Sequence, residues 1–207
     1  MKSNQFIVLN GGNVGFFLNL IKNKKWKTYY LNNNYRCGQK IIDVSNTIIR
    51  QANDIIDTEV VCKSNTNGEV IIDSKYKIDQ YLKNIYMEED YKDWFILVRT
   101  NKDIYKLEQK LIDKDIPYVS FKKGDLTLQE MKQLMNEDKV KLLTIHASKG
   151  LESKNVLLWG NFPIQERPYM RNSDERKVLY VGVTRRNRKG YNIKLRKEFI
   201  YGKVKFK

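Results

Sequence analysis

Hydrophobic positions along the chain recur with two different periods. A spacing near 3.6 residues predicts amphipathic helices, whereas short runs rich in β-branched and aromatic residues predict strands. The predicted strands are residues 6–9, 28–31, 94–98, 116–121, 140–145, 155–159 and 190–195. The predicted helices are residues 16–20, 39–56, 78–85, 104–112, 127–136 and 173–183, of which 39–56 is the clearest because isoleucine pairs recur in it every seven residues.

Strands and helices alternate through most of the chain. This alternation is typical of βαβ units, whose right-handed crossovers place helices on both faces of a mostly parallel sheet. The continuous apolar run 94–98 fits a strand that is buried on both faces. We therefore expect one three-layer α/β domain over residues 1–207. Two short β-like runs, 60–62 and 69–72, flank the pair Asn67-Gly68 and predict a small inserted hairpin.

The chain is strongly basic, with a net charge of +15 and a pI near 9.6. Residues 178–207 hold ten Lys and Arg against the single acid Glu198, and residues 1–34 hold five Lys and no acid. Such a balance favours a polyanionic partner, most simply nucleic acid. The alternative is a lysine-rich composition of the kind found in proteins from AT-rich genomes.

Other features exclude several classes of protein. No apolar run approaches the ~18 residues that span a bilayer, and the N-terminus lacks a signal peptide's apolar core, so we expect a cytoplasmic protein without a membrane partner. The two cysteines, Cys37 and Cys62, and one histidine have no metal-ligand spacing. We therefore expect reduced thiols and no metal site.

The most informative stretch is residues 140–152, VKLLTIHASKGLE, in which a strand delivers a charged loop containing a glycine. In open α/β sheets, ligands bind beyond the carboxyl ends of the strands. The stretch resembles motif V, T-x-H-x-x-K-G-L-E, of the UvrD/Rep/PcrA class of superfamily 1 DNA helicases. The matching residues are Thr144, His146, Lys149, Gly150, Leu151 and Glu152.

The resemblance implies two roles for this loop. Thr144, His146 and Lys149 would contact the phosphodiester backbone of single-stranded DNA, and Glu152 would reach the ribose of ATP. Gly150 would allow the backbone to approach the bound nucleotide closely. For His146 the alternative is a neutral, hydrogen-bonded turn residue. No second histidine or Ser/Cys constellation lies near it in the sequence to make it a catalytic base.

A second stretch, residues 31–36, reads LNNNYR and precedes the isoleucine-rich helix. It resembles motif IV, in which L-x-x-N-Y-R ends a strand. The resemblance implies that Arg36 contacts the γ-phosphate of ATP, and a guanidinium is suited to this because it stays charged and offers several fixed donors. The alternative is an arginine that only pairs with a neighbouring carboxylate.

A third stretch, residues 174–186, reads DERKVLYVGVTRR. It resembles motif VI, E-x-R-L-x-Y-V-A/G-x-T-R, and implies that Arg185 is an arginine finger that reaches ATP held by a neighbouring domain. In GTPases such a finger is worth ~10³–10⁵ in rate. A purely structural arginine is the alternative. Residues 94–101, WFILVRTN, also resemble the family's strand followed by R-x-N.

The missing motifs limit what the chain can do by itself. There is no G-x-x-x-x-G-K-[ST] loop to cradle phosphates and no apolar run ending in Asp-Glu to hold magnesium. The resemblance therefore covers the second RecA-like domain, 2A, without domain 1A or the 2B insertion. We expect half of an ATP-dependent helicase that is inactive alone, with ATP and Mg²⁺ held mainly by a Walker-A-containing partner domain. The alternative is a non-catalytic module that binds nucleic acid or protein.

Overall fold

The computed structural model describes residues 14–23, 25–52, 60–65, 68–73, 78–121, 128–160, 172–185 and 192–196. Its helices are α1 (Val14–Lys22), α2 (Gln39–Ile49), α3 (Ile78–Glu88), α4 (Asn101–Ile112), α5 (Leu128–Asn136) and α6 (Asn172–Val183), with a 3₁₀ turn at Tyr91–Asp93. Its strands are β1 (Asn33–Asn34), β2 (Val61–Cys62), β3 (Glu69–Asp73), β4 (Trp94–Val98), β5 (Tyr118–Phe121), β6 (Val140–Thr144), β7 (Asn155–Trp159) and β8 (Asn192–Arg196).

The main sheet contains six strands in the order β3-β8-β7-β4-β6-β5, and every neighbouring pair is parallel. Since the strands are parallel, their carboxyl ends meet at one edge of the sheet. Val98, the last residue of β4, lies opposite Thr144 on β6 and Trp159 on β7. The loops that follow these three strands therefore leave the sheet side by side.

Strand β4 shows why helices cover both faces of the sheet. Its side chains point alternately to the two faces, and all five of its residues are buried. Phe95 and Leu97 pack in one core with α2 and α6, whereas Trp94, Ile96 and Val98 pack in another core with α3 and α4. The predicted α/β class, with a parallel sheet between helices, is confirmed.

Two local predictions are wrong. Residues 60–62 and 69–72 do not form a hairpin, because within the described residues β2 pairs with β1 and β3 pairs with the distant β8. Residues 28–31 have no regular secondary structure, and Tyr29, Tyr30 and Leu31 are exposed. Turn residues and β propensity are local signals. The pairing of a strand depends instead on which other strands the fold places beside it.

The bounds of two predicted helices also differ from those in the structure. Helix α2 ends at Ile49 instead of residue 56, with residues 53–59 outside the described part of the chain. The predicted strand at 6–9 also lies outside the described residues. Helix α4 starts earlier than predicted, because Thr100 and Asp103 form a reciprocal capping box at its N-terminus. None of the helices in the described ranges is long and apolar enough to cross a membrane.

Candidate functional site

The loop after β6 is tightly folded by its own hydrogen bonds. The Thr144 hydroxyl accepts from the Ala147 backbone N–H at 3.2 Å, and the Thr144 carbonyl accepts from the Ser148 N–H at 3.0 Å. Ser148 is fully buried and its hydroxyl donates to the Ile145 carbonyl at 2.8 Å. Gly150 has a φ of +86°, a conformation that favours glycine. The loop is therefore held rigidly while its tip stays accessible.

The predicted DNA-contacting residues lie on this loop. Thr144 is half-buried, whereas His146, Lys149 and Gly150 are exposed. The pKa of His146 is lowered, first by partial burial of the ring and then by the positive charge of Arg99, while Glu175 opposes the shift. A lowered pKa favours the neutral imidazole at pH 7. The turn-residue alternative also requires a neutral His146.

Arg36 is held by the segment that joins β1 to α2. The side-chain oxygen of Asn34 accepts from the backbone N–H groups of Arg36 and Cys37, both at 2.9 Å. Gly38 then adopts an extended conformation and caps α2. The Nε of Arg36 lies 3.4 Å from Oε2 of Glu152, and both side chains are partly exposed. In this state Arg36 thus makes the carboxylate pair that sequence reasoning weighed as the alternative.

Arg185 follows the end of α6 and is fully buried. Its Nε donates to the Val181 carbonyl at 3.0 Å, and its Nη1 donates to the Ser148 carbonyl at 3.5 Å. Its Nη2 is buried and finds no hydrogen-bond partner among the described residues. The backbone is anchored as well, because the Ser153 N–H donates to the Arg185 carbonyl at 3.1 Å. Arg185 is therefore a cation held in place by two hydrogen bonds, and its Nη2 is a donor with no acceptor among the described residues.

The electrostatic environment of Arg185 follows from this burial. The pKa of Arg185 is lowered to about 10, chiefly by burial and then by the nearby charge of Arg36, while Cys37, Glu152 and Tyr180 act in the opposite direction. The guanidinium still carries its charge at neutral pH. A buried cation with an unsatisfied N–H is a favourable position for an anionic oxygen, which would form a charge-assisted hydrogen bond.

The structure brings Arg36, Glu152 and Arg185 together, although they are far apart in the sequence. The ion pair joins the first two, and both are close enough to Arg185 for their charges to affect its pKa. Two guanidinium groups and one carboxylate suit phosphate and hydroxyl oxygens better than a metal ion. In the described part of the chain, no group of three His, Cys, Asp or Glu side chains is placed to hold a metal.

Sequence reasoning missed two charged residues beside the loop. The Nε and Nη2 of Arg99 donate to Oε2 and Oε1 of Glu175 at 2.7 and 2.6 Å. Both residues lie in stretches that carried the family resemblance, the R-x-N stretch and motif VI. Their place in these stretches was the available signal, but spacing along the sequence does not show that the two residues form a partly buried ion pair.

Comparisons with known proteins identify a family for this chain. The family described as the UvrD-like helicase C-terminal domain matches residues 29–135 and 122–193. A Mycoplasma pneumoniae protein named "Probable DNA helicase" is 29% identical over 209 residues, which cover 88% of this chain and 35% of that protein. The "ATP-dependent DNA helicase Rep" of Buchnera aphidicola is 42% identical over 65 residues, or 27% of this chain and 9% of that protein.

A solved structure, the C-terminal domain of a possible DNA helicase from Lactobacillus plantarum WCFS1, is similar in fold. Its TM-score is 0.50 at 18% identity, over 79% of this chain and 86% of that chain. This likeness concerns the fold alone. The chain spans about a third of the length of the Mycoplasma pneumoniae relative.

Proposed function

Because the chain belongs to the UvrD-like helicase C-terminal domain family, we propose that it closes over ATP bound to a separate phosphate-loop domain and grips single-stranded DNA. Arg36 and Arg185 face the phosphates, and Glu152 reaches the ribose. Thr144, His146 and Lys149 contact the DNA backbone. The observation that carries this proposal is the meeting of Arg36, Glu152 and Arg185 at one place in the fold.

The donors at this place suit a phosphate-binding role. Arg36 is partly exposed and forms an ion pair with Glu152 at 3.4 Å, and an exposed pair of this kind is worth about 0–1 kcal/mol. A polyphosphate carries more negative charge than one carboxylate and displaces Glu152 at little cost. The released carboxylate is then available to accept a hydrogen bond from a ribose hydroxyl.

Arg185 needs a movement of the loop after β6 to act as a finger. Its side chain is fully buried, with one donor held by Val181 and another held weakly, at 3.5 Å, by Ser148. A γ-phosphate presented by the partner domain offers the buried Nη2 the acceptor that it lacks. The charge of Arg185 would then offset the charge that develops on the transferred phosphoryl group.

The experiment combines this chain with a separately expressed phosphate-loop domain of a UvrD-like helicase and measures ATP hydrolysis with and without oligo-dT. We expect DNA-stimulated hydrolysis from the mixture and none from this chain alone. Arg185→Lys keeps the charge but loses the planar fork, and we expect a fall of ~10³ in rate from it. A mixture that stays inactive with several such domains would contradict the proposal.

The burial of Arg185 also favours a second candidate, a non-catalytic module that binds nucleic acid. A side chain with no exposed surface does not reach outward unless the loop after β6 moves. Such a module would bind oligo-dT without nucleotide, and its affinity would fall steeply with salt because bound phosphates release counterions. Salt-dependent binding combined with no stimulation of any partner would favour this candidate.

A further inference from the structure

A bidentate ion pair joins the carboxyl end of β4 to the first turn of α6. The two Arg99–Glu175 hydrogen bonds measure 2.7 and 2.6 Å, and the exposed fractions of the two side chains are 26% and 8%. Two parallel charge-assisted bonds restrict orientation as well as distance. Arg99 holds its proton more firmly as a result, because the hydrogen bond to Glu175 raises its pKa. This contact therefore fixes where α6 begins relative to the sheet.

The same pair borders the loop that carries His146. Strands β4 and β6 are neighbours, and the Ile145 N–H donates to the Val98 carbonyl at 2.9 Å. Arg99 and the His146 loop therefore leave the sheet next to each other. Arg99 and Glu175 are also the charged groups that act on the His146 imidazole among the described residues. His146 thus lies within the electrostatic reach of both partners.

The other end of α6 carries Arg185, two residues beyond the helix. The eight residue steps from Glu175 to Val183, the last residue of the helix, correspond to about 12 Å along its axis. Helix α6 lies close against the sheet, because a Cβ on Gly182 would come within 2.9 Å of side-chain atoms of Leu158 and Ile145. A helix packed this closely moves as a unit. A contact that fixes the position of the first turn of α6 therefore also influences the position of its last turn.

We propose that Arg99 and Glu175 are positioning residues, which hold the His146 loop and α6 in one fixed relation. The partly buried pair would thereby set both the DNA-contacting loop and the placement of Arg185. The significance of this role rests on the function proposed above, but the geometry can be tested without DNA or nucleotide. The competing explanation is an ion pair that stabilises the fold and positions nothing.

The first test measures the pKa of His146 by NMR in the full chain. The chain contains a single histidine, so its ring resonance needs no further assignment. Glu175→Gln removes the charge that raises the pKa and should lower it by about 0.5 or more. Arg99→Gln removes the charge that lowers it and should raise it by a similar amount. The control Asp79→Asn breaks an exposed ion pair with Lys110 and should leave His146 unchanged.

The second test measures hydrogen exchange at the far end of α6. In Glu175→Gln we expect the amides of Thr184 and Ser153, which donate to Tyr180 and Arg185, to exchange about tenfold faster. The amide of Asp113, at the end of α4, serves as the internal control and should not change. If Glu175→Gln does not fold, Arg99→Lys replaces it, since lysine keeps the charge but loses the fork.

The hydrogen-exchange measurement separates the two explanations, because the charges of Arg99 and Glu175 act on His146 in both of them. A His146 pKa that is the same in both Gln variants would overturn the proposal. So would unchanged exchange at Thr184 and Ser153, in Glu175→Gln or in its replacement Arg99→Lys, combined with a lower melting temperature, because the pair would then only stabilise the fold. Neither measurement depends on a partner domain, so failure of the ATPase experiment would leave both results standing.

Discussion

Nη1 of Arg185 lies 3.5 Å from the carbonyl oxygen of Ser148, so the residue that follows α6 touches the loop that follows β6. The guanidinium is fully buried, and no carboxylate within the described residues lies within ion-pair distance of it. Burial of an incompletely paired charge costs free energy. An arginine kept under these conditions is expected to serve binding more than stability.

Replacing Arg185 with methionine tests this expectation. Arg185→Met removes the buried charge and keeps most of the side-chain volume, so we expect the free energy of unfolding to stay the same or rise by about 1 kcal/mol. Arg185→Ala is the matched control and should lower it by about 2 kcal/mol, because it leaves a cavity. Urea denaturation measures both. A loss of more than about 3 kcal/mol in Arg185→Met would show that the arginine is structural.

The close packing of α6 predicts a strong effect at Gly182. A Cβ added there would lie 2.8 Å from Cδ2 of Leu158 and 2.9 Å from Cδ1 of Ile145. We expect Gly182→Ala to lower the free energy of unfolding by about 1–3 kcal/mol, since overpacking exceeds the gain in helix propensity. The double variant Gly182→Ala with Ile145→Val removes one of the clashing atoms and should recover part of the loss in urea denaturation.

Gly150→Ala is the contrast to Gly182→Ala, because it should lower the free energy of unfolding through backbone strain and not through a clash. Nothing lies within 4 Å of the added Cβ, but the φ of +86° is unfavourable for alanine. We expect a loss of about 1–2 kcal/mol, and Ile145→Val should not relieve it. Relief by Ile145→Val at both glycines would contradict the explanation by packing.

The side chain of Asn34 is predicted to hold the backbone of Arg36 in position. Its side-chain oxygen accepts two backbone N–H groups, so Asn34→Ala should lower the free energy of unfolding by about 1–2 kcal/mol. The same variant should weaken nucleotide-dependent activity in the partner-domain assay more than Lys106→Met, an exposed control on α4. Asn34→Asp keeps both acceptor contacts and should retain most of the stability. Equal losses from Ala and Asp would argue against the hydrogen bonds as the cause.

The burial of Lys141 predicts that the free energy of unfolding depends on pH. It is fully buried, its Nζ donates to the Glu137 carbonyl at 2.6 Å, and burial lowers its pKa. Between this lowered pKa and the unfolded value near 10.5, the unfolded chain binds more protons than the folded one. Stability from this residue must therefore rise with pH in that window.

The measurement compares urea midpoints of the wild type and Lys141→Met from pH 7 to pH 10. We expect the wild type to gain stability relative to the variant as the pH rises. Lys106→Met, which removes an exposed lysine from α4, should show no such trend. A difference between wild type and Lys141→Met that stays constant across the range would mean that the lysine does not titrate abnormally.

The sequence predicted the elements well where the evidence was local. The runs 94–98 and 155–159 were identified with the bounds of β4 and β7, because strands buried on both faces form nearly continuous apolar runs. Partners in the sheet were not predictable in the same way. The pairing of β3 with β8 joins segments far apart in the chain, and local turn signals carry no information about it.

The candidate site shows a similar limit. The motifs indicated Arg36, Glu152 and Arg185, and the fold brings them together. The burial of Arg185 was not predictable, since arginine is rarely found fully buried unless it is paired. The Arg99–Glu175 contact depends on where β4 and α6 end up in space. Motif spacing identifies residue types, but their exposure follows from packing.

The position of β8 has a consequence for synthesis of the protein. This strand lies between β3 and β7 in the sheet, yet it comes last among the described elements. At typical rates of translation, β3 leaves the ribosome on the order of ten seconds before its neighbour. During that interval the backbone N–H and C=O groups of β3 lack β8 as a partner. Unpaired strand edges of this kind are prone to aggregation, and chaperones protect nascent chains from it. A stop codon just before residue 192 would leave β3 without β8, its neighbour in the sheet.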